Sequence, residues 1–505
     1  MARKVNMRRS DIDKSSYVWV KTCGACHPGG GACEYDRKGQ RYVDFAAEPR
    51  NNIIPKGDNF LDGDYYSSDW VESGVLEADC LICHLKGYDW DARSRALQKG
   101  LFYEAPAIGA GWYQKGKESD GTVSSKDSGD PLFRLDYGQG AIADPANLAA
   151  SINAHVLDQN CCNCHENPDT IKRGRCWNTD SDVHKAAGLS CTYCHAADEK
   201  HEIAKGDIIS GTVRDDLDAG MKRCADCHLN GADERAPIPV HTFPEHHLEK
   251  MYCETCHIPY KADSVTAVID NATTGASIRY TAKNITSPPS PASGQGTSGI
   301  PADNWLPGFI RYEGKIKPIN PMQVIWWGDW DKGSHRVIPI ILWRIRDFTG
   351  ACAENNFSIT NYTLLNALDG SKEVNTFKEI ETYLNALSQA KDRYGCNMVC
   401  HTAVLVKGGM IYYNEFDELR KAPLPSDEGG FRCCEPFDLS HNVALKTALG
   451  SNGCKDCHAS PSPFLNRKIL IDPFDHEGNA VYTEAWELLG YSRDRMMELS
   501  VPREK

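Results

Sequence analysis

The chain has 505 residues, a mean hydropathy of −0.49 and a formal charge of −13. An acidic balance of this size argues against nucleic acid and against electrostatic docking on anionic lipid. No apolar run approaches the roughly 20 residues that span a bilayer, and the longest, Val337–Trp343, is far too short.

Length alone would predict about three or four domains, but cysteine and histidine usage divides the chain differently. Residues 1–257 carry six Cys-x-x-Cys-His motifs. They are Cys23, Cys26 and His27; Cys80, Cys83 and His84; Cys161, Cys164 and His165; Cys191, Cys194 and His195; Cys224, Cys227 and His228; and Cys253, Cys256 and His257. The first two are far apart, and the last four are crowded. His155, His184 and His247 each precede a motif by six or seven positions. A histidine so placed can point away from its own motif and reach a neighbouring one.

Residues 258–395 carry no such motif. Ser287–Gly299 is a Pro/Gly/Ser loop. Val324–Trp330 and Val337–Trp343 read as short strands, rich in β-branched and aromatic residues. Trp326, Trp327, Trp330 and Trp343 are expected in a small β-core or on cofactor edges. Thr376 opens a helix with Glu379 completing a capping box, Phe377, Ile380, Leu384 and Leu387 follow at helical spacing, and Gly395 is expected to stop it. Four glycosylation sequons, at Asn271, Asn284, Asn356 and Asn361, lie in this stretch.

Residues 396–505 hold the last two motifs: Cys396, Cys400 and His401, with one extra residue between the thiols, and Cys454, Cys457 and His458. Tyr482–Met497 reads as a C-terminal amphipathic helix.

Cys-x-x-Cys-His is the attachment signature of c-type haem. The two thiols add across the porphyrin vinyls, and the adjacent histidine binds iron. Seven such motifs and one expanded variant predict eight covalent haems. Zinc fits poorly, because its sites need no histidine directly after the second cysteine. At about 63 residues per motif, the porphyrins must form much of the core. The expected fold is a multihaem cytochrome c: mostly loops and short helices wrapped around stacked haems, with a small β-containing haem-free insert. Ionised propionates make the loaded protein more negative still.

Nine histidines lie outside the motifs: His155, His184, His201, His241, His246, His247, His335, His441 and His476. Eight irons need eight sixth ligands if every one is closed by a second imidazole, so the supply suffices with one to spare. Six of the nine lie in residues 1–257, beside six motifs, and three lie beyond, beside two. The axial set decides whether an iron binds substrate or only passes electrons. Lys222, Arg223 and Lys250 are expected to neutralise propionates, Glu245 could orient a ligating imidazole, and Tyr65 and Tyr66 read as packing residues.

Haem c is attached outside the cytoplasm, so the precursor is exported. Met1–Ser10 has no apolar h-region, and a removed leader is expected. Six cysteines lie outside the motifs: Cys33, Cys162, Cys176, Cys352, Cys433 and Cys434. In an exported chain they point to disulfides, with Cys162–Cys176 and Cys352 with Cys433 or Cys434 the nearest pairings, or to free thiols.

The runs Lys21–Tyr35 (KTCGACHPGGGACEY), Asp79–Trp90 (DCLICHLKGYDW), Cys253–Tyr260 (CETCHIPY) and Lys315–Trp330 (KIKPINPMQVIWWGDW) resemble octahaem c-type cytochromes of the tetrathionate-reductase-like group. They also look like large outer-surface cytochromes of metal-reducing microbes. The likeness covers roughly 90 residues at the start and about 90 in the middle. It implies a branching chain of packed haems and, in catalytic relatives, one haem with a lysine ligand or an open face. Here no motif reads Cys-x-x-Cys-Lys. A second resemblance is to extracellular multihaem cytochrome filaments, whose all-bis-histidine haems stack across identical subunits.

The expected function is electron transfer at the cell surface or outside the cell, with conductive filaments as the expected assembly. Partners would be other copies of the chain, redox cytochromes and an extracellular electron acceptor. The alternatives are a reductase of small sulfur or nitrogen oxyanions and a periplasmic shuttle.

Overall fold

A computed structural model of the chain describes residues 21, 23–26, 79–99, 101, 104–115, 133–138, 144–174, 177–197, 203, 204, 206, 221–241, 243–261, 265–276, 278–281, 306–351, 359–368, 373–425, 434–472, 475, 477 and 479–501. Two kinds of structure share these residues. One is a set of short helices carrying the motifs. The other is a nine-stranded sheet with a side-chain core of its own.

The motif helices are α1 (Cys80–His84), α2 (Asp158–Arg173), α3 (Cys191–Cys194), α4 (Cys224–His228) and α5 (Cys253–His257). All but α2 are one turn long, enough to set two thiols and a histidine in fixed relation and no more. Asp158, the first residue of α2, accepts the Cys191 amide at 2.7 Å and pairs with Lys185, which ties the third motif to the fourth. This part of the chain buries almost nothing. Between residues 144 and 257 the only buried apolar side chain among the described residues is Ala204.

The sheet is built on one long strand. Its members are β1 (Thr266–Asp270), β2 (Ile278–Thr281), β3 (Gly308–Tyr312), β4 (Lys315–Asp331), β5 (Arg336–Pro339), β6 (Thr402–Lys407), β7 (Met410–Glu415), β8 (Glu418–Pro423) and β9 (Cys434–Asp438). The path runs β8-β7-β6-β4-β1-β2, with β3, β5 and β9 also paired to β4. The β1–β4 contact is parallel, with Val268 opposite Gln323. The seventeen residues of β4 thus serve five partner strands. The sheet is larger than a small insert and does not end at residue 395, since β6 to β9 come from the C-terminal region.

One face of the sheet is covered by helices α6 (Leu342–Thr349) and α7 (Phe377–Gln389). Ile380, Tyr383, Leu384 and Leu387 of α7 are buried, while Phe377, expected on the same face, is 52% exposed. The capping box forms as expected: Thr376 Oγ1 accepts the Glu379 amide at 3.2 Å, and Glu379 Oε2 accepts the Thr376 amide at 2.8 Å. Trp327 is fully buried, lies parallel to Tyr383 at 5.6 Å, and donates its indole proton to Ala272 O at 2.8 Å.

Three element boundaries differ from expectation. Val337–Trp343 is not one strand, because β5 ends at Pro339 and α6 begins at Leu342. Helix α7 stops at Gln389 with Ala390 extended, and Gly395 (φ +77°) belongs to the following turn, in which its amide donates to Asp392 O. The C-terminal amphipathic helix is broken. Strand β10 (Lys468–Asp472) pairs with β11 (Val481–Glu484), and two short helices, Ala485–Leu488 and Arg493–Leu499, follow on either side of Gly490 at φ +70°. Patterning carried the apolar face of this segment; a backbone conformation that favours glycine divides it.

The sheet also mounts the motif helices. Thr255 of α5 donates to Ile316 O at 2.6 Å, and Asn320 of β4 donates to Lys172 O at 2.6 Å near the end of α2. Lys317, 2% exposed, bridges Asp438 at 3.2 Å and Glu254 at 3.4 Å. Among the described residues no helix is long and apolar enough to cross a membrane.

Candidate functional site: the Cys/His motif array

Five motif histidines place Nδ1 against a peptide carbonyl. His84 Nδ1 lies 2.7 Å from Asn153 O, His195 Nδ1 2.8 Å from Ala204 O, His228 Nδ1 2.9 Å from Pro237 O and His257 Nδ1 3.3 Å from Ala444 O. His458 Nδ1 meets Leu499 O. With Nδ1 donating, Nε2 keeps its lone pair for a metal. Burial pushes the His257 imidazole below its ordinary value, which favours the neutral, ligating form.

The expanded motif is built differently. Cys396, Cys400 and His401 lie in a loop rather than a helix, and all three are exposed. Asp329 at the end of β4 holds this loop: its carboxylate accepts the Cys400 and His401 amides, both at 2.8 Å, and lies 3.2 Å from His401 Nδ1. Arg344 grips the loop from α6 through an ion pair to Asp392 at 3.1 Å. Here the imidazole faces a carboxylate, where those five face a peptide carbonyl.

The motifs are neighbours in space. Cys26 hydrogen-bonds with Cys164, Cys161 with Cys191 and Cys224 with Cys253. Electrostatic contacts link Cys83 with Cys161, Cys194 with Cys227 and Cys256 with Cys457. Together these links string the first and second motifs onto the third, and then run third, fourth, fifth, sixth and last.

Four histidines outside the motifs face motif histidines. Ring centres are 6.0 Å apart for His184 and His228, 6.2 Å for His195 and His441, 6.2 Å for His241 and His257, and 6.0 Å for His247 and His458. Each of the other histidines has its own setting. His246 stacks on His247 at 4.5 Å. His155 and His335 are exposed, the latter at φ +54° in the turn after β4. His165 is exposed on α2. His27, His201 and His476 lie outside the described residues, as do Cys33, Cys176, Cys352, Cys433, Tyr65 and Tyr66, and with them both expected disulfide pairings.

Side chains that sequence reasoning passed over hold this array. Asp182 is buried and accepts amides from His184, Asn442 and Val443. Burial alone would raise its carboxyl; hydrogen bonds from His184, Val443 and Trp177 outweigh burial and hold it well below the usual carboxylate range. Glu245 does not orient His247, whose Nδ1 lies 2.9 Å from Pro244 O instead. Lys222 sits 3.8 Å over the Tyr193 ring, and Lys250 is exposed. Asn361 caps a short helix by accepting the Thr363 amide, so its side chain is already engaged.

The residues present fit haem c. Thiol pairs and histidines are placed on short turns, five imidazole lone pairs are aimed by Nδ1 contacts, and the stretch that holds four of the eight motifs buries a single apolar side chain among its described residues. Cys80, Cys83 and His84 and the corresponding residues of each motif would hold the group, which when bound supplies the one-electron redox centre. Among the described residues no group of three or more His, Cys, Asp and Glu side chains is arranged around a metal ion.

Residues 198–258, which include the fifth and sixth motifs, match the family model of cytochrome c554 and c-prime. Among solved structures the chain is similar to the octaheme cytochrome c from Shewanella oneidensis, at 15% identity and a TM-score of 0.38, with 98% of this chain and 94% of that chain covered. No curated protein sequence matches the chain. The repeated attachment motifs and the matched family region support a multihaem c-type cytochrome, with covalently bound haem c and a role in electron transfer.

Proposed function

We propose that the protein is an octahaem electron conduit whose irons are each closed by two imidazoles. The observation that carries this reading is the spacing of the four facing histidine pairs. A metal–imidazole bond is about 2 Å, taking zinc as the guide, and a ring centre lies about 1.1 Å beyond its nitrogen. Two imidazoles on opposite sides of one ion therefore stand about 6 Å apart, which is the spacing of His184 with His228, His195 with His441, His241 with His257, and His247 with His458.

Five outer histidines, His155, His201, His246, His335 and His476, remain for the four motif histidines His27, His84, His165 and His401. The supply still closes with one over. Two of the four pairs cross the chain: His441 serves a motif before residue 257, and His247 serves one after 396. The thiol contacts support a continuous order of seven cofactors, with the first and second branching onto the third and the Cys396 motif outside these contacts. In this reading the chain ligates, buries and spaces the redox centres and leaves no face for substrate.

Attachment of haem c outside the cytoplasm supports a secreted or cell-surface location. Head-to-tail assembly into filaments rests on the sequence resemblance and on the surplus histidine, since such an interface need not close. Redox cytochromes and an extracellular acceptor are the corresponding partners.

The test is the ferric EPR spectrum of the purified, fully loaded protein, recorded with and without cyanide. Only low-spin signals, unchanged by cyanide, are expected. A high-spin signal worth one haem that cyanide or nitrite converts would replace the conduit by an oxyanion reductase. Electron micrographs of the secreted protein decide separately between filaments and single particles.

A further inference from the structure

Asp182 stands between two of the facing histidine pairs. Its carboxyl is almost fully buried, with 1% of the side chain exposed. On one side Oδ1 lies 3.3 Å from His184 Nδ1 and accepts the His184 amide at 2.8 Å. On the other side Oδ2 accepts the amides of Asn442 at 2.8 Å and Val443 at 2.9 Å, directly after His441 in the chain. The contact is reinforced: Val183 donates to Val443 O at 3.1 Å, and Asn442 Nδ2 donates to Ser181 Oγ at 2.7 Å. Asn442 itself sits at φ +71°, a conformation that local hydrogen bonding must hold. Trp177, which hydrogen-bonds to the same carboxylate, places its ring 6.0 Å from that of His441. Lys261, fully buried, donates to His441 O at 2.9 Å.

We infer that Asp182 is a shared positioning residue for two neighbouring haem centres, holding His184 opposite His228 and His441 opposite His195 from a single carboxylate. The inference rests on the axial pairing proposed above. The two arms differ in kind. Toward His184 the carboxylate acts directly on the imidazole, fixing its tautomer and raising its basicity. Toward His441 it acts through the backbone, by locking the bend that carries the ring. One buried charge therefore couples the fourth and fifth centres, whose cysteines Cys194 and Cys227 are themselves neighbours. A helix cap without this role would also use Asp182, since Val183–Ala186 begins there, so the test must read the cofactors and not stability alone.

The experiment compares loaded H184A, H441A, D182A and D182N variants of the full chain by haem content, ferric EPR and redox titration. H184A and H441A should each take one haem equivalent out of the native low-spin signals. If neither does, the axial pairing itself is wrong. D182A should disturb two haem equivalents at unchanged haem content. If it disturbs none, or only the one that H184A affects, Asp182 is not shared. Should D182A fail to load, D182N decides. It removes the charge but keeps an acceptor, and one centre should move to higher potential while a second changes its low-spin signature. Wild-type potentials and spectra in D182N would overturn the inference.

Discussion

A motif histidine bound to iron through Nε2 is tuned by whatever its Nδ1 touches. His84, His195, His228, His257 and His458 all face peptide carbonyls, whereas His401 faces the Asp329 carboxylate at 3.2 Å. A carboxylate makes the imidazole a stronger donor and stabilises the ferric state, so a haem held at Cys396 would have its potential held down by Asp329, reaching the loop from β4. Asp329→Asn removes the charge and leaves one oxygen for the Cys400 and His401 amides. A hydrogen bond to a charged group is worth roughly 1.5–3 kcal/mol, or one to two decades of a one-electron equilibrium at about 59 mV each. Redox titration of the variant should show one centre moved up by about 60–120 mV, with haem content retained. An unmoved titration curve would show that His401 does not report on an iron. None of this was legible beforehand: the histidine is announced by its cysteines, but its partner is seventy residues away on another strand.

Short elements need anchors that long ones do not, and the first two motifs show how one is made. Arg93, on the helix Trp90–Gln98 that follows α1, pairs with Asp79 at 3.0 Å, with both side chains almost fully buried. Its other nitrogen donates to Gly24 O at 2.6 Å and Ala25 O at 3.1 Å, within the first motif. Trp90 donates to Ala25 O at 2.9 Å. One guanidinium thus neutralises a buried carboxylate and docks the Cys23–Cys26 turn beside α1. Arg93→Leu leaves the buried Asp79 charge with the neutral Tyr88 hydroxyl and no cation, and breaking a buried pair by removing one partner costs about 3–5 kcal/mol. The urea midpoint of the loaded protein should fall accordingly, and a loss below about 1 kcal/mol would mean that the pair is solvated. At this scale sequence reading succeeded where chemistry is local. The capping box of Thr376 and Glu379 needs only a spacing of three, and the motif turns only a spacing of four. It failed at Val337–Trp343 and at Tyr482–Met497, where composition could not reveal Pro339 ending a strand or Gly490 dividing a helix.

Across the whole molecule, two solutions to the problem of a core sit side by side. The sheet and its helices bury Trp327, Ile325, Ile345, Ile380, Tyr383, Leu384 and Leu405 against one another. Residues 144–257 bury a single apolar side chain among those described. Burial of apolar surface is the dominant favourable term in folding, so the first part can stand without haem and the second cannot. Counting histidines along the chain did not foretell that the ring of His441 would stand 6.2 Å from that of His195, and the ring of His247 6.0 Å from that of His458, across the N- and C-terminal regions, because such contacts follow the packing of distant segments. Haem-free chain made in the cytoplasm, where attachment does not occur, should therefore be half folded. Limited proteolysis should cut it throughout 144–257 and leave a resistant body reaching from about Val265 to Asp438, identified by mass. The loaded protein should resist in both regions. Equal protection of the two regions without haem would mean that the motif helices pack on protein alone, and that porphyrin is not what fills the space between them.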